Sequence, residues 1–280
     1  MEIGGIQALR AWRKGQSGTV ALVPTMGALH SGHQALMDRA RESADLVVTS
    51  IFVNPLQFGA DEDFVKYPRP FTADKALCEE AGVDFVFAPA VGEMYPSAPE
   101  VRVSSGRMGE VFEGAARPGH FDGVLTVVAK LFTLVKPDIA VFGLKDIQQY
   151  CLVRRMIEDL NFDLELVGLP VVRDPDGLAM SSRNTFLNAE DRSAALAIPR
   201  ALEAAVEVAS QGAGPGDVER AARVVLDAAV TAGGIDVDYL SLVDAGNLQP
   251  CPNDFRGSAL LLVSAIAGAT RLIDNAPFEF

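Results

Sequence analysis

Short β-branched runs alternate with helical periodicities through roughly the first 170 residues, which restricts this part of the chain to βαβ units around a parallel sheet. Residues 20–23, 46–53, 85–88, 139–143 and 164–169 read as strands. Between them, residues 33–44, 73–81, 124–136 and 148–159 carry apolar side chains three and four apart and read as crossover helices. Beyond about residue 172 the texture changes. An Ala-rich helical stretch over 189–211 meets the break Gly212-Ala213-Gly214-Pro215-Gly216, followed by a helical stretch over 218–232 and strand-like runs at 235–243 and 259–265. The expected architecture is an α/β domain over 1–171 and a smaller α+β domain over 172–280. An open α/β sheet binds its ligand beyond the carboxyl ends of its strands.

Charge limits the partners. With 37 acidic against 24 basic side chains and a net charge of −13, the chain has no basic face for a nucleic-acid backbone. An anionic small substrate therefore needs a locally cationic pocket. Cys78, Cys151 and Cys251 are odd in number and show no C-x-x-C spacing, which fits buried thiols in a reducing compartment. Residues 1–18 hold no continuous apolar run, and the longest apolar stretch, 259–269, is too short to span a bilayer. The expectation is a soluble, cytoplasmic protein with no membrane partner.

The chemistry-bearing residues follow the strands. The chain has three histidines, and two stand in Pro24-Thr25-Met26-Gly27-Ala28-Leu29-His30-Ser31-Gly32-His33, directly after the first strand-like run. A strand, a glycine turn and a helix start turn N–H groups and a positive dipole end toward a phosphate, and two imidazoles three residues apart can face one phosphate chain. Further on, Gly143-Leu144-Lys145-Asp146 leaves another strand; Lys145 is a point charge for a phosphate oxygen and Asp146 can cap the helix. Met180-Ser181-Ser182-Arg183, shortly after Val172, offers two hydroxyls and a guanidinium to a triphosphate. Asn54 and Gln57 place amides where an apolar strand ends, able to orient a carboxylate without neutralising it. Each feature has a structural alternative. The histidines can be caps, Lys145-Asp146 a solvated helix start, Asn54 and Gln57 turn caps, and Arg117 with His120 loop polarity. Asp61, Glu62 and Asp63 read as a solvated loop rather than metal ligands.

The H-x-G-H and M-S-S-R pair resembles the paired nucleotide signatures of class I adenylating enzymes and nucleotidylyltransferases. Together with F-V-N-P-x-Q-F, Tyr67-Pro68-Arg69, Arg117-Pro118-x-His120-Phe121, G-x-K-D-x-Q-Q and Thr270-Arg271-Leu272-Ile273-Asp274-Asn275, essentially the whole chain resembles the pantothenate synthetase family. The resemblance implies a Rossmann-like first domain holding ATP and pantoate, a C-terminal lid, a homodimer and Mg²⁺ with ATP. It places the segment Pro24 to His33, Gly143 to Asp146, Val172 and Met180 to Arg183 at ATP, with His33 as proton donor and His30 beside the triphosphate. Gln57 and Gln149 match the pantoate-contacting glutamines, with Gln57 also near β-alanine, and Asn54, Arg117 and His120 join that acid site. Asp74 matches a Mg²⁺ partner. Leu144 and Ser31 stand where more polar or acidic residues are usual.

The expected chemistry has two steps. Pantoate's carboxylate attacks the α-phosphorus of ATP, and β-alanine's amine then displaces AMP, with His30, His33, Lys145 and Arg183 meeting the charge that develops. Three rivals stand beside it. A nucleotidylyltransferase that stops after nucleotide transfer gives Gln57 and Gln149 no task. An aminoacyl-tRNA synthetase is disfavoured by the acidity and by the absence of an anticodon-binding extension. A nucleotide-binding regulatory module gives Lys145 and Arg183 no task.

Overall fold

The computed structural model describes residues 1–59 and 64–280; Asp61, Glu62 and Asp63 lie outside them. By its contacts the chain divides into two units, Met1–Leu144 with Gln148–Leu169, and Lys145–Ile147 with Pro170–Phe280.

The first unit runs β1 (Glu2–Gly4), α1 (Ile6–Lys14), β2 (Val20–Thr25), α2 (Ser31–Ser43), β3 (Leu46–Ile51), α3 (Phe71–Glu80), β4 (Phe85–Phe87), α4 (Val91–Met94), α5 (Glu113–Ala116), α6 (His120–Val135), β5 (Ile139–Gly143), α7 (Ile147–Leu160) and β6 (Glu165–Leu169). Ile147 alone of α7 goes with the second unit. The six strands pair parallel in the order β1-β4-β3-β2-β5-β6. Both faces of the sheet are covered, and β2 shows why its run is apolar throughout. Val20 and Leu22 pack on one side with Leu9, Trp12 and α6, while Ala21 and Val23 pack on the other with Met37, Ala40 and Cys78. The order reverses between β2 and β5, so the crevice at their carboxyl ends is the topological switch point where such sheets take ligands.

The second unit holds α8 (Ala189–Ala195), α9 (Ala197–Ser210), α10 (Pro215–Thr231) and an antiparallel sheet of β7 (Asp236–Asp244), β8 (Ser258–Ala267) and β9 (Thr270–Glu279). Its own core joins Ile198, Leu202 and Leu226 to Leu261 and Val263.

Five readings from sequence differ from these elements. The strand β1 and helix α1 went unread. So did β9, whose buried Asp274 and Asn275 and edge-tolerated Pro277 mask its strand pattern. The single helix expected over 189–211 breaks at Leu196, because the ring of Pro199 excludes the carbonyl of residue 195 from a continuous helix. Helix α6 starts at His120, four residues earlier than its periodicity indicates.

Gly123 lets α6 approach the turn after β3: a Cβ there would collide with Leu56 O and stand 2.6 Å from Gln57 N. Better helix propensity returns about 1 kcal/mol against an overpacking cost of about 1–3 kcal/mol. Gly123→Ala is expected to lose up to about 2 kcal/mol and lower Tm by up to roughly 8 °C, as a thermal melt will read. Burial also raises the thiols, Cys78 to about 12 and Cys151 to about 11. Iodoacetamide at pH 8 is therefore expected to leave both unmodified in the native protein and to label them after denaturation, by intact mass.

Candidate active site

Past β2 the chain turns through Gly27 (φ +89°) and Ala28 (φ +52°) before α2 begins. Glycine enters this left-handed region freely, alanine at a cost on the order of 1–2 kcal/mol. Asp74, in the first turn of α3 and only 2% exposed, holds the turn in place. Its Oδ2 accepts from Ala28 N–H at 3.0 Å and its Oδ1 from Leu29 N–H at 2.7 Å. Thr25 fixes the entry by donating to Ser50 O and accepting from Gly27 N–H.

His30 is the N-cap of α2 and His33 stands three residues on, and each ring caps the other's backbone. His30 Nδ1 accepts from Gly32 N–H at 3.1 Å, while His30 N–H donates to His33 Nδ1 at 3.2 Å. The ring centroids lie 4.1 Å apart. A ring nitrogen that accepts an N–H carries no proton, so this network assigns the proton of each neutral ring to Nε2. Capping and phosphate recognition are thus compatible here: the caps consume Nδ1 and define Nε2–H as the donor.

Asn54 and Gln57 sit on the turn after β3. Asn54 is 1% exposed and fully engaged: Nδ2 donates to Gly123 O at 3.0 Å and Gln57 Oε1 at 3.1 Å, while Oδ1 accepts from Tyr95 Oη at 2.9 Å and Leu56 N at 3.3 Å. Gln57 Nε2 lies 3.1 Å from Met26 Sδ. Arg117 always donates, so its Nη1 gives a proton to His120 Nε2 at 3.0 Å, and His120 Nδ1–H then donates to Gln57 O at 2.8 Å. Asn54, Arg117 and His120, expected on the substrate, are joined in this structure to Gln57 itself. Of the two glutamines opening α7, Gln148 is buried and bonded to Met108 O, Val111 O and Glu113 N–H, whereas Gln149 is half-buried.

In the second unit Lys145 lines a cleft with Ala179, Ser181, Arg183, Arg271 and Asp274. Asn275 Nδ2 donates to Lys145 O at 3.2 Å, and Arg173 clasps the buried Asp274 carboxylate at 2.6 and 3.2 Å. Ser181 Oγ caps the short turn Ser182–Phe186 through Arg183 N–H. Asn184 ties that turn to Asp174 and Ala179 O, Met180 N–H bonds Val172 O, and Arg192 grips Asp174 and Asp176. The Arg192 hydrogen bonds hold the Asp176 carboxyl below its ordinary range. Ser182 and Arg183 are exposed and Lys145 is half-buried. Asp74, as described, spends both oxygens on backbone N–H groups, and among the described residues no three His, Cys, Asp or Glu gather to hold a metal ion. Among the described residues, then, no Mg²⁺ site built from protein ligands is assembled.

Sequence reasoning missed Tyr95, whose hydroxyl meets Asn54 from 41 residues away. It noted Arg271, Asp274 and Asn275 only inside a closing motif. Arg173 flanked the serine loop without an assigned role, and its tie to Asp274 is visible only in three dimensions.

The chain matches the family model described as pantoate-beta-alanine ligase over residues 3–277. It is 54% identical to the pantothenate synthetase of Acidothermus cellulolyticus, over 98% of this chain and 90% of that protein. The enzyme of that name from Thermobifida fusca is also 54% identical, over 97% and 92%. The crystal structure of pantothenate synthetase from Thermus thermophilus aligns with a TM-score of 0.90 at 48% identity, covering 99% of each chain. The pantoate-beta-alanine ligase from Francisella tularensis, crystallised with beta-gamma ATP and beta-alanine, aligns with a TM-score of 0.76 at 30% identity, over 99% of this chain and 97% of that one. With the strand-turn-helix histidines, the paired glutamines and the lysine and arginine turns all present within a match of that extent, the chain belongs to the pantoate-beta-alanine ligase family.

Proposed function

We infer that the chain is an ATP-dependent ligase that condenses (R)-pantoate with β-alanine, giving pantothenate, AMP and pyrophosphate through a pantoyl adenylate. Membership of the family supports the substrates. The chemistry rests on one observation, the imidazole pair whose Nδ1 atoms are taken up by the cap of α2 and whose protons are thereby assigned to Nε2.

In the first step a pantoate carboxylate oxygen bonds to the α-phosphorus, and the bond to pyrophosphate breaks with its electron pair. Negative charge gathers on the departing phosphates. His30 and His33 donate from Nε2 to those oxygens, and Lys145 and Arg183 supply formal positive charge. Neither cation meets a carboxylate among the described residues, whereas Arg173, Arg192 and Arg271 are paired with Asp274, with Asp174 and Asp176, and with Asp238. Gln57 and Gln149 hold pantoate, and Asn54, Arg117 and His120 act through Gln57. In the second step the neutral amine of β-alanine bonds to the acyl carbon and AMP leaves. No covalent enzyme intermediate forms, so positioning dominates. The Ser181–Arg183 loop closes over ATP and excludes the water that would hydrolyse the adenylate.

Magnesium enters as part of the ATP substrate, since Asp74 serves the turn rather than a cation, and no step depends on a protein-held ion. The working form is a homodimer, as the family resemblance implies. A cytoplasmic location is supported by the unpaired state of Cys78, Cys151 and Cys251. No helix among the described residues is long and apolar enough to cross a membrane.

Given ATP and pantoate alone, the enzyme is expected to release pyrophosphate up to one equivalent and no AMP in a rapid quench; added β-alanine then releases AMP in step with pantothenate. AMP release that ignores β-alanine would overturn the assignment. His33→Ala and Lys145→Ala are each expected to lower kcat by about 10²–10³ in that assay, the loss of one transition-state donor. Near-normal turnover of either variant removes that residue from the mechanism.

A further inference from the structure

An amide side chain offers substrate either a donor or an acceptor, and which one depends on what holds its other end. Gln57 is 8% exposed, and its Oε1 is taken by Asn54 Nδ2. The orientation of Asn54 is assigned by its Nδ2, which also faces Gly123 O, a group that only accepts, and by its Oδ1, which faces Leu56 N–H, a group that only donates. The Leu56 contact is long at 3.3 Å, and the shorter bond to Asn54 Oδ1 is the 2.9 Å contact from Tyr95 Oη. The Tyr95 ring is itself fixed, with Lys130 Nζ 4.8 Å from its centroid and Phe52 packed 6.1 Å away. Burial raises its hydroxyl to about 12, so it remains a donor throughout the neutral range.

We propose that Tyr95 is a positioning residue for substrate binding: by donating to Asn54 it locks a chain of amides that commits Gln57 to present its NH₂, not its carbonyl, to pantoate. The proposal rests on the reading that Gln57 holds pantoate. Gln57 Nε2 rests 3.1 Å from Met26 Sδ, a weak acceptor. An N–H on a thioether gives up little when a carboxylate or hydroxyl oxygen arrives, so the group is poised for exchange. A relaxed Asn54 lets the Gln57 amide rotate and offer Oε1, which repels a carboxylate.

Steady-state kinetics of Tyr95→Phe with each substrate varied in turn tests the relay. A lost hydrogen bond of ordinary strength corresponds to roughly a threefold to tenfold rise in KM. That rise is expected for pantoate, with kcat and the KM for ATP within about twofold of the parent, because Gln57 holds pantoate alike in ground and transition states. In a Gln57→Ala background the same substitution is expected to leave pantoate KM unchanged, since its effect passes through Gln57. Equal factors in both backgrounds, or a rise shared by all three substrates, overturn the relay. Asn54→Leu is run in the same pair of backgrounds, so the relay is tested even where Tyr95→Phe does not fold. Gln57→Ala alone separates the two claims. An unchanged pantoate KM there refutes the role of Gln57, whereas a raised one with indifferent Tyr95 and Asn54 variants refutes only the relay.

Discussion

Two backbone N–H groups, those of Ala28 and Leu29, end on one buried carboxylate, and the turn that leads into α2 depends on that contact. Asp74 is 46 residues from Ala28 in sequence, so the turn is held by the packing of α3 and not by its own residues. The energies favour the arrangement. Charge-assisted hydrogen bonds of about 1.5–3 kcal/mol each stand against about 1–2 kcal/mol for the left-handed torsion of Ala28. Without the clamp Ala28 relaxes, His30 leaves the cap position, and the reciprocal imidazole contacts that define the tautomers go with it. Gly27 adds the complementary restriction, since a side chain there would press within 3.0 Å of Asp74 Oδ2. The carboxylate that the family resemblance matches to a Mg²⁺ partner is, by geometry, the support of the helix start beside it.

Five of the six strands of the parallel sheet were legible because the longer ones are apolar on both faces, a pattern that a parallel sheet between helix layers requires. What escaped notice had little pattern to offer. β1 spans three residues, and β9 carries Asp274 and Asn275 inward, which reads as a loop until Arg173 and the Lys145 carbonyl are seen to satisfy them. The chemical residues were legible by type: a chain with three histidines that places two on one helix start declares a purpose. Their roles were less so. Asn54, Arg117 and His120 have the chemistry of ligand contacts, yet Asn54 bonds Gln57, Tyr95 and the Gly123 carbonyl 69 residues away, while Arg117 and His120 meet each other and His120 meets the Gln57 carbonyl. Spacing along the chain identifies which residues are polar near a site; it does not identify which of them face inward to hold another.

The division of electrostatic labour follows from the overall charge. A chain at −13 must hold a polyanion, and formal cations placed near its many carboxylates tend to be claimed by them. Arg173, Arg192 and Arg271 illustrate the outcome, each bound to aspartate and serving the scaffold of the second unit. Donors without formal charge escape this competition. In the proposed reading, the N–H groups at the start of α2 and the imidazole Nε2–H groups attract phosphate oxygens without a formal charge, and their preorganisation by the cap means that little reorientation is required when charge develops. In the same reading Lys145 and Arg183 add full charge from positions that no aspartate or glutamate among the described residues neutralises. The same logic applies to the acid substrate: an amide N–H committed by its neighbours can orient a carboxylate while leaving it nucleophilic, whereas a guanidinium in its place would stabilise the attacking oxygen and slow the first step.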